Sequence, residues 1–404
     1  MSASGSTRRG FVRSVLFALL VLPAGLLVAL FAHASSATPA CTTTWKTTAP
    51  VGGAFNNGAN WDNGAPVAGS WACAGASSSI ALGGTATVAG VSLSGTLTVN
   101  SGGSLTTTDT TNASSINVLK INGGTISPQG TLDITGSSTW SSGSVAPTGT
   151  AGKLVVDATG TLAVSPVSNT DVSGPLVNNG TMTLASGTCG VGCFGVDSPG
   201  VVTNHGTFSI TDDQIITYFS SPGSITTDGT FRKTGGTGTS TIAQPVTMSA
   251  GTLSASGGTL ELDGGGSLAG SLTSSGTGTV RLGAGTFTVS SATTVSGNGH
   301  FDIGTTVDST GTTLTLSAGP TYTLAGGTLQ GTGTFTLNGS MTWSSGSVAP
   351  SGAGKLVVGA TATLAVSPVS NTDVSGPLVN NGTMTLASGT CGVGCFGVDS
   401  PGVV

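Results

Sequence analysis

Charge is what this 404-residue sequence has least of: 6% of its residues are Asp, Glu, Lys or Arg, and only 10 of them are cations. With a formal net charge of −5 and so few Lys and Arg, no basic patch can form against phosphates, which argues against nucleic-acid binding. Aromatic residues make up 5%, enough to fill gaps in a core but not to build one. Low charge does not here mean disorder. Disordered chains combine high charge with low hydrophobicity, and this chain has a mean hydropathy of +0.31.

Glycine fills much of the chain instead, 68 residues of it, together with threonine, serine, valine and leucine. Glycine and β-branched residues disfavour helices, and threonine and valine suit strands, so the expected class is all-β. From about residue 90 a phrase returns in which Gly-Thr is followed by apolar–any–apolar. It spans Gly95 to Val99, Gly130 to Ile134, Gly180 to Leu184, Gly206 to Ile210, Gly258 to Leu262, Gly278 to Leu282 and Gly333 to Leu337. Many of the intervals are about 20–26 residues, the length of one turn of a parallel β-helix carrying two or three short strands. About a dozen such coils would make a rod roughly 60 Å long.

The phase of the charges agrees. Lys120, Asp133, Glu261, Arg281 and Asp302 each lie between two apolar neighbours, so all five are expected to point outward while their neighbours point in. Glu261, Arg281 and Asp302 follow one another at the interval of a coil, which predicts a surface column of alternating sign on successive coils.

A long segment occurs twice. Lys153 to Val202 returns as Lys355 to Val404, with Gly359 for Asp157 and Ala362 for Gly160, and Thr139 to Pro147 returns as Thr342 to Pro350. A closed globular core has no room for such a copy, whereas a stack of units does. The second copy halts at Val404, where the first runs on into Thr203 to Ile210. The chain is therefore expected to be truncated in mid-repeat, with any C-terminal anchor missing.

The N-terminus reads as an export signal: Arg8, Arg9 and Arg13, an apolar run from Val15 to Phe31, and Ala32-His33-Ala34 as a cleavage site. Export by the general route is expected, or by the twin-arginine route that Thr7 to Arg13 resembles. An uncleaved anchor is the competing reading. Removing 1–34 leaves seven cations against 15 acids, a net charge of −8. The six cysteines suit an oxidising compartment and fall in three groups, Cys41 with Cys73, Cys189 with Cys193, and Cys391 with Cys395, for which local disulfides are expected. Thr38-Pro39-Ala40 is a poor lipobox, so Cys41 is not read as a lipid anchor. The organisation expected is a signal peptide at 1–34, a Trp- and Cys-containing capping module at 35–89, and β-helix repeats over 90–404 with near-identical segments at 139–202 and 342–404.

Asn60-Trp61-Asp62-Asn63-Gly64-Ala65-Pro66, following Trp45, resembles the opening of many large secreted bacterial proteins. Gly83 to Gly103 resembles the first coils that follow it there. The coil phrase is similar to the passenger repeats of bacterial surface adhesins and autotransporter-like proteins. That resemblance implies export, a right-handed parallel β-helix, and adhesion or surface display. It implies glycans or cell-surface and matrix components as partners, and contact with membrane only through the signal segment or a missing anchor. It carries over no catalytic residue.

Parallel β-helices also host polysaccharide-cleaving enzymes, which makes the acids candidates. Asn169-Thr170-Asp171 resembles the Asn-Thr-Asp motif of polygalacturonases, and Asp212-Asp213 their paired aspartates, which would make Asp171, Asp212 and Asp213 the candidate acid and base. The Gly-His-Gly and Arg-x-Lys motifs of those enzymes are absent, and the main expectation is a non-catalytic stalk with no cofactor and no metal site. His205 and His300 are expected in surface bends. Gly257 to Gly264 faintly resembles a calcium-binding turn, and an ordinary β-turn is the plainer reading. Ice binding is the third reading, from Thr181-Met-Thr183, Thr286-Phe-Thr288, Thr313-Leu-Thr315 and Thr334-Phe-Thr336. Asn112, Asn179, Asn338 and Asn381 fit the glycosylation sequon, which composition alone explains.

Overall fold

The computed structural model describes residues 39–391 and 394–404; the expected signal at 1–34 lies outside them. Among the described residues the chain forms 40 strands and one three-residue 3-10 turn, Gly58–Asn60. No helix among them is long and apolar enough to cross a membrane. The strands stack in parallel as a β-solenoid of about 16 turns.

Each turn contributes strand to three stacked faces. The first face runs through Thr43–Thr44, Trp71–Ala74 and the start of Gly90–Asn100, and later through Lys153–Val156, Pro175–Asn178 and Val201–Asn204. The second includes Gly53–Ala54, Ser79–Leu82, Thr161–Val164, Thr181–Leu184 and Thr207–Ile210. The third includes Thr85–Val88, Ser104–Thr107, Thr170–Val172, Phe194–Val196 and Ile216–Thr217. Long strands such as Ser137–Val145 bend from the second face onto the third. The bend in that strand is made at Gly143, whose φ of 91° and approach to Gly124 leave no space for a Cβ.

The repeated phrase works as its alternation requires. In Thr259–Leu262 the residues Leu260 and Leu262 are fully buried and Glu261 is turned outward, and the same pattern holds around Lys120, Asp133, Arg281 and Asp302. Glu261, Arg281 and Asp302 are register neighbours on the third face, as expected. Only the first rung is an ion pair, Arg281 Nε to Glu261 Oε1 at 3.2 Å; Asp302 instead takes His300 Nε2 at 2.7 Å. His300 therefore opens the strand His300–Ile303 rather than occupying a bend, while His205 does lie in one.

The core is one unbroken file of apolar side chains from Trp45 to Leu378. Each buried Leu, Val, Ile or Phe contributes on the order of 1.5–3 kcal/mol. At its start Trp61 packs edge-on against Trp45 and Phe55, its indole N–H donating to the Phe55 carbonyl at 2.7 Å. The three expected disulfides are present, and Cys41–Cys73 ties the first two coils together.

Two expectations of scale change. Stacking begins before residue 90, with Ala72 over Thr43 and Ile80 over Gly53, so the rod has more than a dozen coils and is on the order of 75 Å long. The register steps are also more uneven than the repeated phrase implies. The step from Ser115 to Asp133 is among the shortest and the step from Thr44 to Cys73 among the longest.

The duplicated segment repeats its local packing: Trp140 meets Phe194 edge-on at 5.9 Å, and Trp343 meets Phe396 at 6.1 Å. It does not repeat its position. Following the first face upward from Lys153–Val156 leads, strand by strand, to Thr372–Val374, which is the copy of Thr170–Val172 and not of Lys153–Val156. The second copy thus sits one face further round the solenoid than the first.

Candidate functional site

Coil length is uneven, and two of the longer coils border one stretch of the third face. The coils that carry the chain from Asp171 to Gly195 and from Ile216 to Ile242 are both longer than those from Glu261 to Arg281 and from Arg281 to Asp302. The additional residues form loops at both edges of the third face. On one edge is the Cys189–Cys193 ring; the carbonyl of Cys193 accepts from both the amide and the hydroxyl of Thr170 at 2.8 and 3.0 Å. On the other edge is the turn carrying Tyr218, Phe219 and Ser220.

Between these loops the outward positions are Asp171, Gly195 and Thr217. Gly195 is needed for a close approach, because a Cβ there would stand 2.4 Å from Cε2 of Phe219, whose ring occupies that space. Asp197, just past the end of the same strand, holds the turn: its Oδ1 accepts the N–H of Phe219 at 2.8 Å, the N–H of Ser220 at 2.7 Å and the Ser220 hydroxyl at 3.1 Å. Its carboxyl also hydrogen-bonds that of Asp171 on the coil below.

The two acids are driven apart by their surroundings. Burial, then the hydrogen bond to Asp197 and repulsion by it, push Asp171 up to about 6. Burial also opposes ionisation of Asp197, but the Ser220 amide, the bond from Asp171 and the Phe219 amide outweigh it and hold the carboxyl below the usual range. Oδ1 of Asp171 is buried without a hydrogen-bond partner, as is Oδ1 of Asp373 in the second copy.

No protein-family model, curated protein or solved structure matches this chain.

Asp212 and Asp213, grouped with Asp171 by motif, are not beside it. They lie at the corner leading into Ile216–Thr217, two coils beyond Asp171, and they are engaged there. Asp212 accepts the Ser186 amide at 2.6 Å, and its main-chain carbonyl accepts from Lys233 Nζ at 2.9 Å. Asp213 Oδ1 lies 2.7 Å from Lys233 Nζ, and that ion pair, ahead of burial, holds the Asp213 carboxyl low. Lys233 is fully buried and also donates to Ser240 Oγ at 3.1 Å. This corner serves as a structural brace.

The sequence contained a signal for Lys233: in Phe231-Arg232-Lys233 it shares the inward phase of Phe231. The Asp171–Asp197 contact was visible too, because the two acids are separated by the length of one coil. The motif resemblance points to Asp212 and Asp213 instead.

The remaining candidates spread out. Glu261 and Asp263 both come over Gly283, where a Cβ would meet Asp263 Oδ1 at 2.3 Å and Glu261 Oε1 at 2.6 Å, with Glu261 already paired to Arg281. Thr313 and Thr315 stack on Thr334 and Thr336 on the second face, but Thr286 and Thr288 belong to the first. The threonine rows therefore do not lie in one plane.

Proposed function

We propose that this chain is an exported, surface-displayed rod of adhesin-like type, which acts by presenting its outer faces and does no chemistry. The observation that carries this reading is the continuous apolar file from Trp45 to Leu378 beneath outward positions filled mainly by threonine, serine and glycine. Such an arrangement spends its apolar residues on stacking and leaves a long, weakly charged exterior. The apolar run at 15–31 with Ala32-His33-Ala34 supports export, and the disulfides support an oxidising compartment. Glycans or cell-surface components are the partners this reading supplies.

The second reading, a polysaccharide-cleaving enzyme, draws on one observation: Asp171 and Asp197 are acids from neighbouring coils. Glycosidase carboxyls stand about 5 Å or more apart to admit a sugar between them, whereas these two share a hydrogen bond. Incubation with neutral and acidic polysaccharides and a reducing-end assay decides the matter. Product formation that Asp171→Asn abolishes would replace the first reading with the second. Small-angle scattering that shows no extended particle would remove the first on its own account.

A further inference from the structure

Apart from two residues, the Phe, Tyr and Trp side chains among the described residues are buried or partly buried. The two are adjacent: Tyr218 at 41% and Phe219 at 43% exposure, on the turn that Asp197 pins. Exposed aromatics are costly to keep on a surface otherwise made of short polar side chains. Three features fix the turn that carries them: the hydrogen bonds to Asp197, a glycine at 195 against which one side of the Phe219 ring rests, and the longer coil that supplies the turn.

We propose that Tyr218 and Phe219, with the Asp171–Asp197 pair at their edge, form a binding site for an uncharged oligosaccharide. Flat aromatic rings present an apolar face to the C–H face of a sugar, while the Tyr218 phenol and the exposed Ser220 and Ser221 hydroxyls lie within the same turn to meet its hydroxyls. Asp197, held ionised beside the rings, disfavours uronic or sialic residues by repulsion. Its Oδ1 already accepts two amides and a hydroxyl, which leaves it poorly placed to take up a cationic peptide. The role assigned to Asp197 is positioning: it sets the turn, and the rings make the contact.

This inference gives the displayed rod a ligand class and rests on that reading only for display. The test uses the full chain and a panel of neutral hexasaccharides, namely β-1,3-glucan, β-1,4-glucan, mannan and chitin oligomers, with hexagalacturonate and hexalysine beside them, read by isothermal titration. At least one neutral oligomer is expected to bind and the two charged probes are not. Tyr218→Ala combined with Phe219→Ala is expected to weaken binding about tenfold or more, and Asp197→Ala to do the same by releasing the turn. Phe219→Tyr should retain binding, which separates ring contact from folding, as does an unchanged circular dichroism spectrum. No binding across the neutral panel, binding indifferent to the aromatic double substitution, or preference for hexagalacturonate or hexalysine would each overturn the proposal. Failure here leaves the rod intact; failure of scattering to find a rod leaves this site to be judged by its own titration.

Discussion

Asp171 gives the fold a pH dependence of definite sign. In the folded chain it keeps its proton up to about 6, against an ordinary value of 3.8, so between those limits the folded state binds more protons than the unfolded one. Stability therefore falls as pH rises through that window. Asp197, held low, works the other way, and its contribution is lost as pH falls through its folded value. Because Asp171 is partly exposed, solvent screening limits its effect to about 1 kcal/mol. Melting temperatures across pH 4 to 7 are expected to decline for the native chain and to flatten in Asp171→Asn, whose amide donates to Asp197 without a titrating proton. A native profile that rises over that range would contradict the raised Asp171 value. The Lys233 brace makes a second residue-scale prediction. Asp213→Ala strands a fully buried ammonium and is expected to cost about 3 kcal/mol, whereas Lys233→Met removes the charge, leaves Asp213 in contact with solvent and the Asp212 carbonyl with the Ser240 hydroxyl as its donor, and costs about 1 kcal/mol. The order of the two denaturation midpoints checks it. That brace shows where residue-level legibility ended. Outward charges such as Glu261 and Arg281 could be read from their apolar neighbours, but Lys233 follows the same alternation rule with the opposite outcome, and only the corner formed by Asp212, Asp213 and Ser240 makes its burial tolerable.

Strands were the most legible elements, because Gly-Thr followed by apolar–any–apolar sets both a corner and an inward phase. Edges and loops were not, since nothing in the local sequence says which coil will lie underneath. The disulfides mark the difference in consequence. Cys41–Cys73 closes a span of 32 residues and joins consecutive coils, worth about 3–4 kcal/mol by loop-closure entropy, whereas Cys189–Cys193 closes only 4 and is worth about 2. A solenoid is stabilised by nearest-neighbour interfaces, so loss of the first bridge should loosen the first coils without melting the rest. In a Cys41→Ser, Cys73→Ser variant, hydrogen exchange is expected to accelerate over Thr43–Thr44 and Gly53–Ala54 and to stay unchanged beyond Ser104–Thr107. Uniform acceleration along the chain would show a single cooperative unit instead.

At the scale of the whole molecule, the copied segment measures how little the three faces differ. From Lys153–Val156 to Lys355–Val358 the chain climbs nine full coils and one further face, so identical residues stack against different neighbours and still fold alike. Repetition was plain in the sequence; the rotation was not, because it depends on the sum of many uneven coil lengths. It follows that the fold is specified by contacts within a coil or two and not by the identity of a face. Deleting 153–354 joins Gly152 to Lys355 and restores the sequence around the first copy, although it removes a non-integral number of coils. The shortened chain is expected to fold into a rod shorter by about 45 Å, with the strand content per residue unchanged, as scattering and circular dichroism would report. A shortened chain that lost its strand signal would show instead that the coils up to the first copy depend on those stacked beyond it. The rotation also bears on presentation. Outward residues shared by the copies, such as Asp171 and Asp373, stand on the third and first faces respectively, so a partner reading the repeated segment meets it from two directions and not along one side. A surface built to match a flat lattice would need the opposite arrangement, with copies in phase on one face.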